Sequence, residues 1–238
     1  MRLGILDWGI GGVDAMRRLQ ERCPRLDILY FSDSAHVPYG RVPHARLARR
    51  VEEIVNALPV THVLVACNAA SVVLPDIETG TPIRGMIRHG VQAALDTGLQ
   101  RWGVIGGKGT IAAGIYGTAL SEHGLEVIER SAQALSAHVE AGRLAGDAVE
   151  SDVSEILSPL QGVEGLLLAC THYSALMRHF QRVLPDTRIV DPVETLVTAL
   201  IEEWALDSWE GAGAIEAQTT GDEVAMRNHA LQAFGFEW

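Results

Sequence analysis

An α/β fold of two pseudo-symmetric domains, each a mostly parallel sheet flanked by helices, is predicted by three observations on this 238-residue chain. The chain opens on a strand, a glycine turn and a helix. The same series restarts near Trp102. Two apolar runs, Val63-Leu64-Val65-Ala66-Cys67-Asn68 and Leu166-Leu167-Leu168-Ala169-Cys170-Thr171, each end in a cysteine followed by an amide or hydroxyl residue. Gly103 lies 99 residues after Gly4, and Cys170 lies 103 after Cys67, so the two cysteines occupy matching places in the two series.

Leu3 to Asp7 reads as a buried strand, Trp8 to Gly12 as a turn, and Val13 to Arg22 as a helix. Strands are predicted at Ile28 to Ser32, His62 to Ala66 and Ile83 to Met86, with a helix from Ala45 to Leu58. Alternation of this kind implies a parallel sheet. In the second series, Trp102 to Gly107 is the strand and its glycine turn, and one helix is predicted from Ile111 to His123. A helix near Pro192 to Trp204, a strand near Ala214 to Thr219 and a helix from Asp222 to Phe234 then return toward the first half. Residues 1–87 with 205–238 are read as one domain and 88–204 as the other. Open parallel sheets place ligands at the carboxyl ends of their strands, so a cleft between the halves is expected to hold both cysteines.

Bulk composition narrows the function classes. An apolar fraction of 47% with 21% charged residues describes a chain able to bury a core, which excludes a disordered or fibrous protein. The net charge of −11 argues against a nucleic-acid surface, since phosphates need concentrated Lys and Arg. The densest basic stretch, Arg41 to Arg50, is read as the solvated face of a helix bearing Arg46, Arg49 and Arg50. Cys23, Cys67 and Cys170 form no CxxC pattern and cannot all pair, which fits a reducing, cytoplasmic location. No apolar run reaches membrane-spanning length, and no signal core opens the chain.

Several residues carry chemistry as well as a bland reading. A free cysteine is often simply core, and Cys23 before Pro24 is read that way; matched placement favours function for Cys67 and Cys170. His172 stands two residues after Cys170, where it either shuttles a thiol proton or serves as a structural histidine. Asp7, at the mouth end of the first strand, is placed to receive a thiol proton, to bind a substrate ammonium or to cap its turn. The glycine loops lack nucleotide signatures: Gly9 to Asp14 misses the third glycine of the dinucleotide motif, and Lys108 precedes Gly109 where a P-loop needs Ser or Thr. These loops are expected to offer backbone N–H groups to a carboxylate at a helix N-terminus. Cys170 and His172 lack further ligands at suitable spacing, so no metal is expected.

The motifs in order resemble the glutamate racemases of the aspartate/glutamate racemase superfamily, nearly end to end. Asp7-Trp8-Gly9-Ile10-Gly11-Gly12 is similar to their D-S-G-x-G-G, Val37-Pro38-Tyr39-Gly40 to V-P-Y-G, and Cys67-Asn68-Ala69-Ala70-Ser71 to C-N-T-A-[ST]. Val139-Glu140-Ala141-Gly142 is similar to V-E-E-G, Cys170-Thr171-His172-Tyr173 to C-T-H-Y, and Thr219-Thr220-Gly221-Asp222 to T-x-G-D. The resemblance implies a racemase that uses no cofactor and holds glutamate between two α/β domains. It implies Cys67 and Cys170 as the proton-transfer pair, with Asp7 assisting Cys67, and His172 and Glu140 assisting Cys170. Trp8, Pro38, Tyr39, Gly40, Asn68, Ala69, Thr110 and Thr171 are the implied substrate contacts. Partners are then a small amino acid or related carboxylate, with no nucleic acid and no membrane; the sequence allows a homodimer.

Four positions depart from the family pattern. Trp8 stands where Ser helps hold the substrate, Ala69 and Gly107 where Thr is usual, and Arg88 where a glutamate is expected. A complete catalytic set beside an altered binding set points to a changed substrate. The alternatives are a superfamily isomerase or decarboxylase acting on another small carboxylic acid, and a catalytically silent binding homologue.

Overall fold

The computed structural model describes residues 1–238 and contains nine strands. They are β1 (Arg2–Asp7), β2 (Asp27–Ser32), β3 (His62–Val65), β4 (Ile83–Gly85), β5 (Arg101–Gly106), β6 (Glu126–Ser131), β7 (Gly165–Ala169), β8 (Arg188–Val190) and β9 (Ile215–Thr219). One sheet has the order β4-β3-β1-β2-β9 and the other β6-β5-β7-β8. Every pairing is parallel. Superposing the orders matches β1 with β5, β2 with β6, β3 with β7 and β4 with β8, which is the internal repetition that the sequence predicts.

Central strands covered on both faces should be apolar along their middles, as Leu3 to Leu6 of β1, Val63 to Val65 of β3 and all of β7 are. Leu3 to Asp7 and Gly165 to Ala169 are buried at every position. In each sheet the chain crosses from the first central strand to one neighbour and then to the other, which opens a crevice at the strand carboxyl ends. Asp7 closes β1, and Cys67 and Cys170 follow β3 and β7, so all three arrive at this crevice.

The halves share apolar packing. A buried cluster of 37 residues joins Leu3, Ile10 and Met16 to Ile105, Leu135, Leu166 and Tyr173. The Pro192–Trp204 helix packs on the Val13–Arg22 helix as well as on the Ile87–Leu95 helix, bridging both layers. No helix is long and apolar enough to cross a membrane.

Two sequence expectations change. The single helix predicted from Ile111 to His123 is two, Lys108–Ala113 and Ile115–Glu122, because Gly114 between them has φ +61° and ends the first as a left-handed cap. Arg50 does not lie with Arg46 and Arg49 on a merely solvated face. Its guanidinium grips the fully buried Asp33 carboxylate at 2.6 and 2.9 Å.

Candidate active site

Fifteen residues from both halves line a cleft with about 400 Å³ of space, its mouth included. Trp8, Pro38, Tyr39, Gly40, Cys67, Asn68 and Ala69 come from the first half; Gly107, Thr110, Gln133, Ser136, Ala169, Cys170, Thr171 and His172 come from the second. The structure thus brings Cys67, Cys170 and His172 to one cavity with all eight residues expected to touch substrate. Asp7 and Glu140 lie behind that wall. No Lys, Arg, Asp or Glu side chain lines the cleft, so a charged ligand there meets neutral donors and whichever thiol or imidazole carries charge.

Asp7 is completely buried and anchored by its own turn. Oδ1 accepts the Trp8 N–H at 2.7 Å and Oδ2 the Gly12 N–H at 2.6 Å. The turn-capping reading is therefore correct, and the same carboxylate also meets the Cys67 thiol. Its place behind Cys67 sets aside the reading in which it grips a substrate ammonium. Burial raises the Asp7 carboxyl above its ordinary range, opposed by the nearby His172. Burial also pushes the Cys67 thiol well up, and the neighbouring Asp7 adds to this. Burial thus favours the neutral Cys67 thiol, with the Asp7 carboxyl group beside it.

The other thiol faces a different partner. His172 Nδ1 lies 3.6 Å from Cys170 Sγ, and Nε2 is hydrogen-bonded to Glu140 Oε1. Burial opposes charge on the imidazole, but Glu140 and Cys170 outweigh it and hold the His172 pKa well above the usual histidine value. Stability from this pair is fully present below about pH 6.5, the unfolded value, and is lost as pH rises through the raised folded value. The melting-temperature gap between the parent and Glu140→Gln should accordingly be widest at or below neutral pH and shrink in alkaline solution. A pH-independent gap in thermal melts would contradict this.

The first glycine loop does offer its N–H groups to carboxylates at the start of the Val13–Arg22 helix, and those carboxylates are the protein's own. Trp8 and Gly12 donate to Asp7, and Ile10 donates to Glu140 Oε1 at 2.6 Å. The loop binds the protein's own carboxylates, which tie the Asp7 and Glu140 systems together across the cleft. That closeness explains two glycines. A Cβ at Gly9 would overlap the Glu140 carboxylate, and one at Gly11 would lie 2.6 Å from His172 Nδ1 and 2.8 Å from Asp7 Oδ2. The second loop is similarly occupied where Lys108 N donates to Gln133 Oε1 at 3.1 Å.

Two cleft residues have donors to spare. Asn68 Oδ1 accepts the Tyr116 hydroxyl at 2.6 Å, which fixes the amide and leaves Nδ2 buried without a partner. Thr110 Oγ1 is also buried and unpaired. Orphaned polar atoms are costly in a folded interior and recur where a ligand completes them. Trp8 is held at the wall: Nε1 donates to His36 O at 2.9 Å, and the ring lies 6.3 Å from the His172 ring at a 40° tilt.

Sequence reasoning missed Gln133, Ser136 and Tyr116. Gln133, Ser136 and Glu140 recur at i, i+3 and i+7 on the Gln133–Glu140 helix, while Leu135 and Val139 are buried. That polar stripe at helical spacing was the available signal. Tyr116 had none, since its bond to Asn68 joins residues 48 positions apart.

Comparison with known proteins agrees with this geometry. The Asp/Glu/Hydantoin racemase model matches residues 3–200. The chain is 33% identical over 228 residues to the glutamate racemase of Aquifex aeolicus (strain VF5), covering 92% of this chain and 89% of that protein. Among solved structures, it superposes on glutamate racemase from Thermus thermophilus in complex with beta-chloro-D-alanine with a TM-score of 0.86 and 30% identity, over 97% of this chain and 92% of that one. Glutamate racemase from Francisella tularensis subsp. tularensis SCHU S4 in complex with D-glutamate gives a TM-score of 0.87 at 25% identity, over 99% and 94% of the respective chains. A two-sheet fold with paired cysteines at its crevice, matched along almost its whole length, places this chain in the Asp/Glu/Hydantoin racemase family.

Proposed function

We propose that this cleft inverts the α-carbon of glutamate or a related amino acid by proton transfer between Cys67 and Cys170. The observation that carries the reading is that two sulfurs end equivalent strands of two related sheets and face one cavity, each backed by its own proton-handling group. One sulfur, as thiolate, takes the α-proton. The electron pair of the broken C–H bond stays on Cα, and the other sulfur delivers a proton from the opposite face. Enzyme and substrate each end with the proton count they began with, exchanged between the two thiols.

The supporting groups differ as the reaction requires. Asp7 takes the Cys67 proton when that sulfur acts as base. His172, kept charged by Glu140, stands over Cys170 and stabilises its thiolate or returns its proton. Asn68 Nδ2 and Thr110 Oγ1 are the donors available to the α-carboxylate, where hydrogen bonds fixed in advance stabilise carbanion-like charge as it spreads from Cα. The half-buried setting keeps water from competing for that charge.

Trp8 favours a substrate range different from that of ordinary glutamate racemases. Its indole occupies the wall where a small hydroxyl residue is usual in the resembling motif, and Ala69 and Gly107 remove two further hydroxyls. Glutamate turnover by the parent is expected to fall below about 10⁴ M⁻¹s⁻¹ in kcat/KM, the lower end of the usual enzyme range. Trp8→Ser with Ala69→Thr should raise it above either single change. Steady-state kinetics with D- and L-glutamate on the four proteins checks this, and a parent already above that rate overturns the altered-range reading.

A further inference from the structure

We propose that Arg50 and Asp33 form a positioning lock that holds residues 33–41 closed over the cleft as a clasp between the two halves. Asp33 is fully buried. Its carboxylate accepts both Arg50 contacts, the Tyr39 hydroxyl at 2.8 Å and the Thr220 hydroxyl at 3.1 Å. Its backbone N–H donates to Asp7 O at 3.1 Å, and its carbonyl accepts the His36 N–H at 3.0 Å. One residue thereby connects the start of the clasp, the ring of Tyr39 and the backbone of Asp7.

The clasp carries cleft wall at its other end. Pro38, Tyr39 and Gly40 line the cavity, and His36 O holds the Trp8 indole. Its tip reaches the second half: a Cβ at Gly109 would lie 3.0 Å from Gly40 O, and one at Gly40 would lie 2.8 Å from Gln133 Oε1. The Thr219-Thr220 pair fastens its first residues, Thr219 Oγ1 lying 3.0 Å from Ser34 Oγ and Thr220 Oγ1 accepting the Ala35 N–H at 3.1 Å. This gives the C-terminal Thr-Thr-Gly-Asp motif a task at the cleft mouth although neither threonine lines the cavity.

The charge balance makes Arg50 decisive. A carboxylate with no solvent exposure is costly as an anion, and removing the cation paired with it leaves much of that cost uncompensated. Arg50 is the cation bonded to Asp33, so without it the carboxylate must gain water, and the direct route is for the clasp to lift. Tyr39 donates its hydroxyl to Asp33, and burial beside that carboxylate keeps the hydroxyl protonated. Its part is therefore to tether the clasp, and it takes no part in proton transfer.

The proposed turnover consequence rests on the racemase reading, but the lock itself is testable without substrate. Backbone hydrogen exchange over 33–41 and iodoacetamide alkylation of Cys67, which is 8% exposed, are measured in the parent, Arg50→Met, Arg50→Lys and Tyr39→Phe, with the buried Cys23 as internal control. In Arg50→Met, exchange over 33–41 and alkylation of Cys67 should each quicken about tenfold or more while Cys23 is unchanged, as local opening predicts. Arg50→Lys should recover part of the protection, and Tyr39→Phe should shift in the same direction by less. Where the parent turns over an amino acid, KM should rise about tenfold in Arg50→Met with kcat within about threefold and an unaltered pH profile, since substrate and transition state lose binding equally.

Exchange and alkylation at parental rates in folded Arg50→Met overturn the lock. Equal acceleration at Cys23 also overturns it, because Arg50 would then support the whole fold. If Arg50→Met does not fold, Tyr39→Phe decides by the same two readouts. A parent that turns over no amino acid overturns the racemase reading and leaves the exchange and alkylation results to judge the lock.

Discussion

Replacing Cys67 by Ser is expected to abolish proton abstraction from one enantiomer far more than from the other, and Cys170→Ser to show the opposite bias. A serine hydroxyl is a much weaker acid than a thiol, so each change removes one base and leaves the opposite face intact. The loss in the affected direction should be at least about 10²-fold, the lower end of general acid/base effects. The check is Cα–H exchange measured separately from each pure enantiomer. Equal losses from both enantiomers, or parental rates in both variants, would show that the sulfurs do not divide the two faces.

Asp7→Asn should slow turnover by about 10²–10⁴ with the same enantiomer bias as Cys67→Ser. His172→Asn should instead follow the bias of Cys170→Ser, because His172 approaches that sulfur. Asp7 carries a structural burden as well. Its two oxygens accept the Trp8 and Gly12 N–H groups, and an asparagine has one acceptor oxygen, so one buried N–H is left facing an amide NH₂. That mismatch should cost about 1–3 kcal/mol, which lowers the melting temperature by several degrees in a chain of this size, at about 2–4 °C per kcal/mol. Enantiomer-resolved kinetics beside calorimetry separates the two effects. An Asp7→Asn protein that loses stability but no turnover would leave the carboxylate a turn cap only.

What could be read from the sequence is what local pattern determines. Continuous apolar runs mark β1, β3 and β7, glycine turns mark their ends, and the matched cysteines mark two halves sharing a cleft. The placement of Cys67, Cys170 and His172 at one cleft was legible because strand ends in such sheets lie at a crevice. Interactions between distant residues were not legible. Arg50 read as a solvated charge because nothing near it in sequence signals Asp33, and Tyr116 gave no sign of its bond to Asn68. The glycine loop was legible only in part. Free N–H groups after a strand point to a carboxylate, but not to which one: those they meet, Asp7 and Glu140, are supplied by the chain itself, one of them 130 residues from its donor. The break at Gly114 was hidden because an isolated glycine within a helical pattern can be tolerated as well as end a helix.

The central claim is that Cys67 and Cys170 move a proton on and off an α-carbon, and it is tested most directly by solvent-deuterium incorporation at Cα. The parent is incubated in D₂O with single enantiomers of glutamate and of other amino acids, and label is followed by NMR or mass spectrometry. The account predicts deuterium at Cα of at least one amino acid, appearing in the inverted product, and lost from that product when either cysteine is replaced. Absence of label from every amino acid tried, or label undiminished in both cysteine variants, would contradict it.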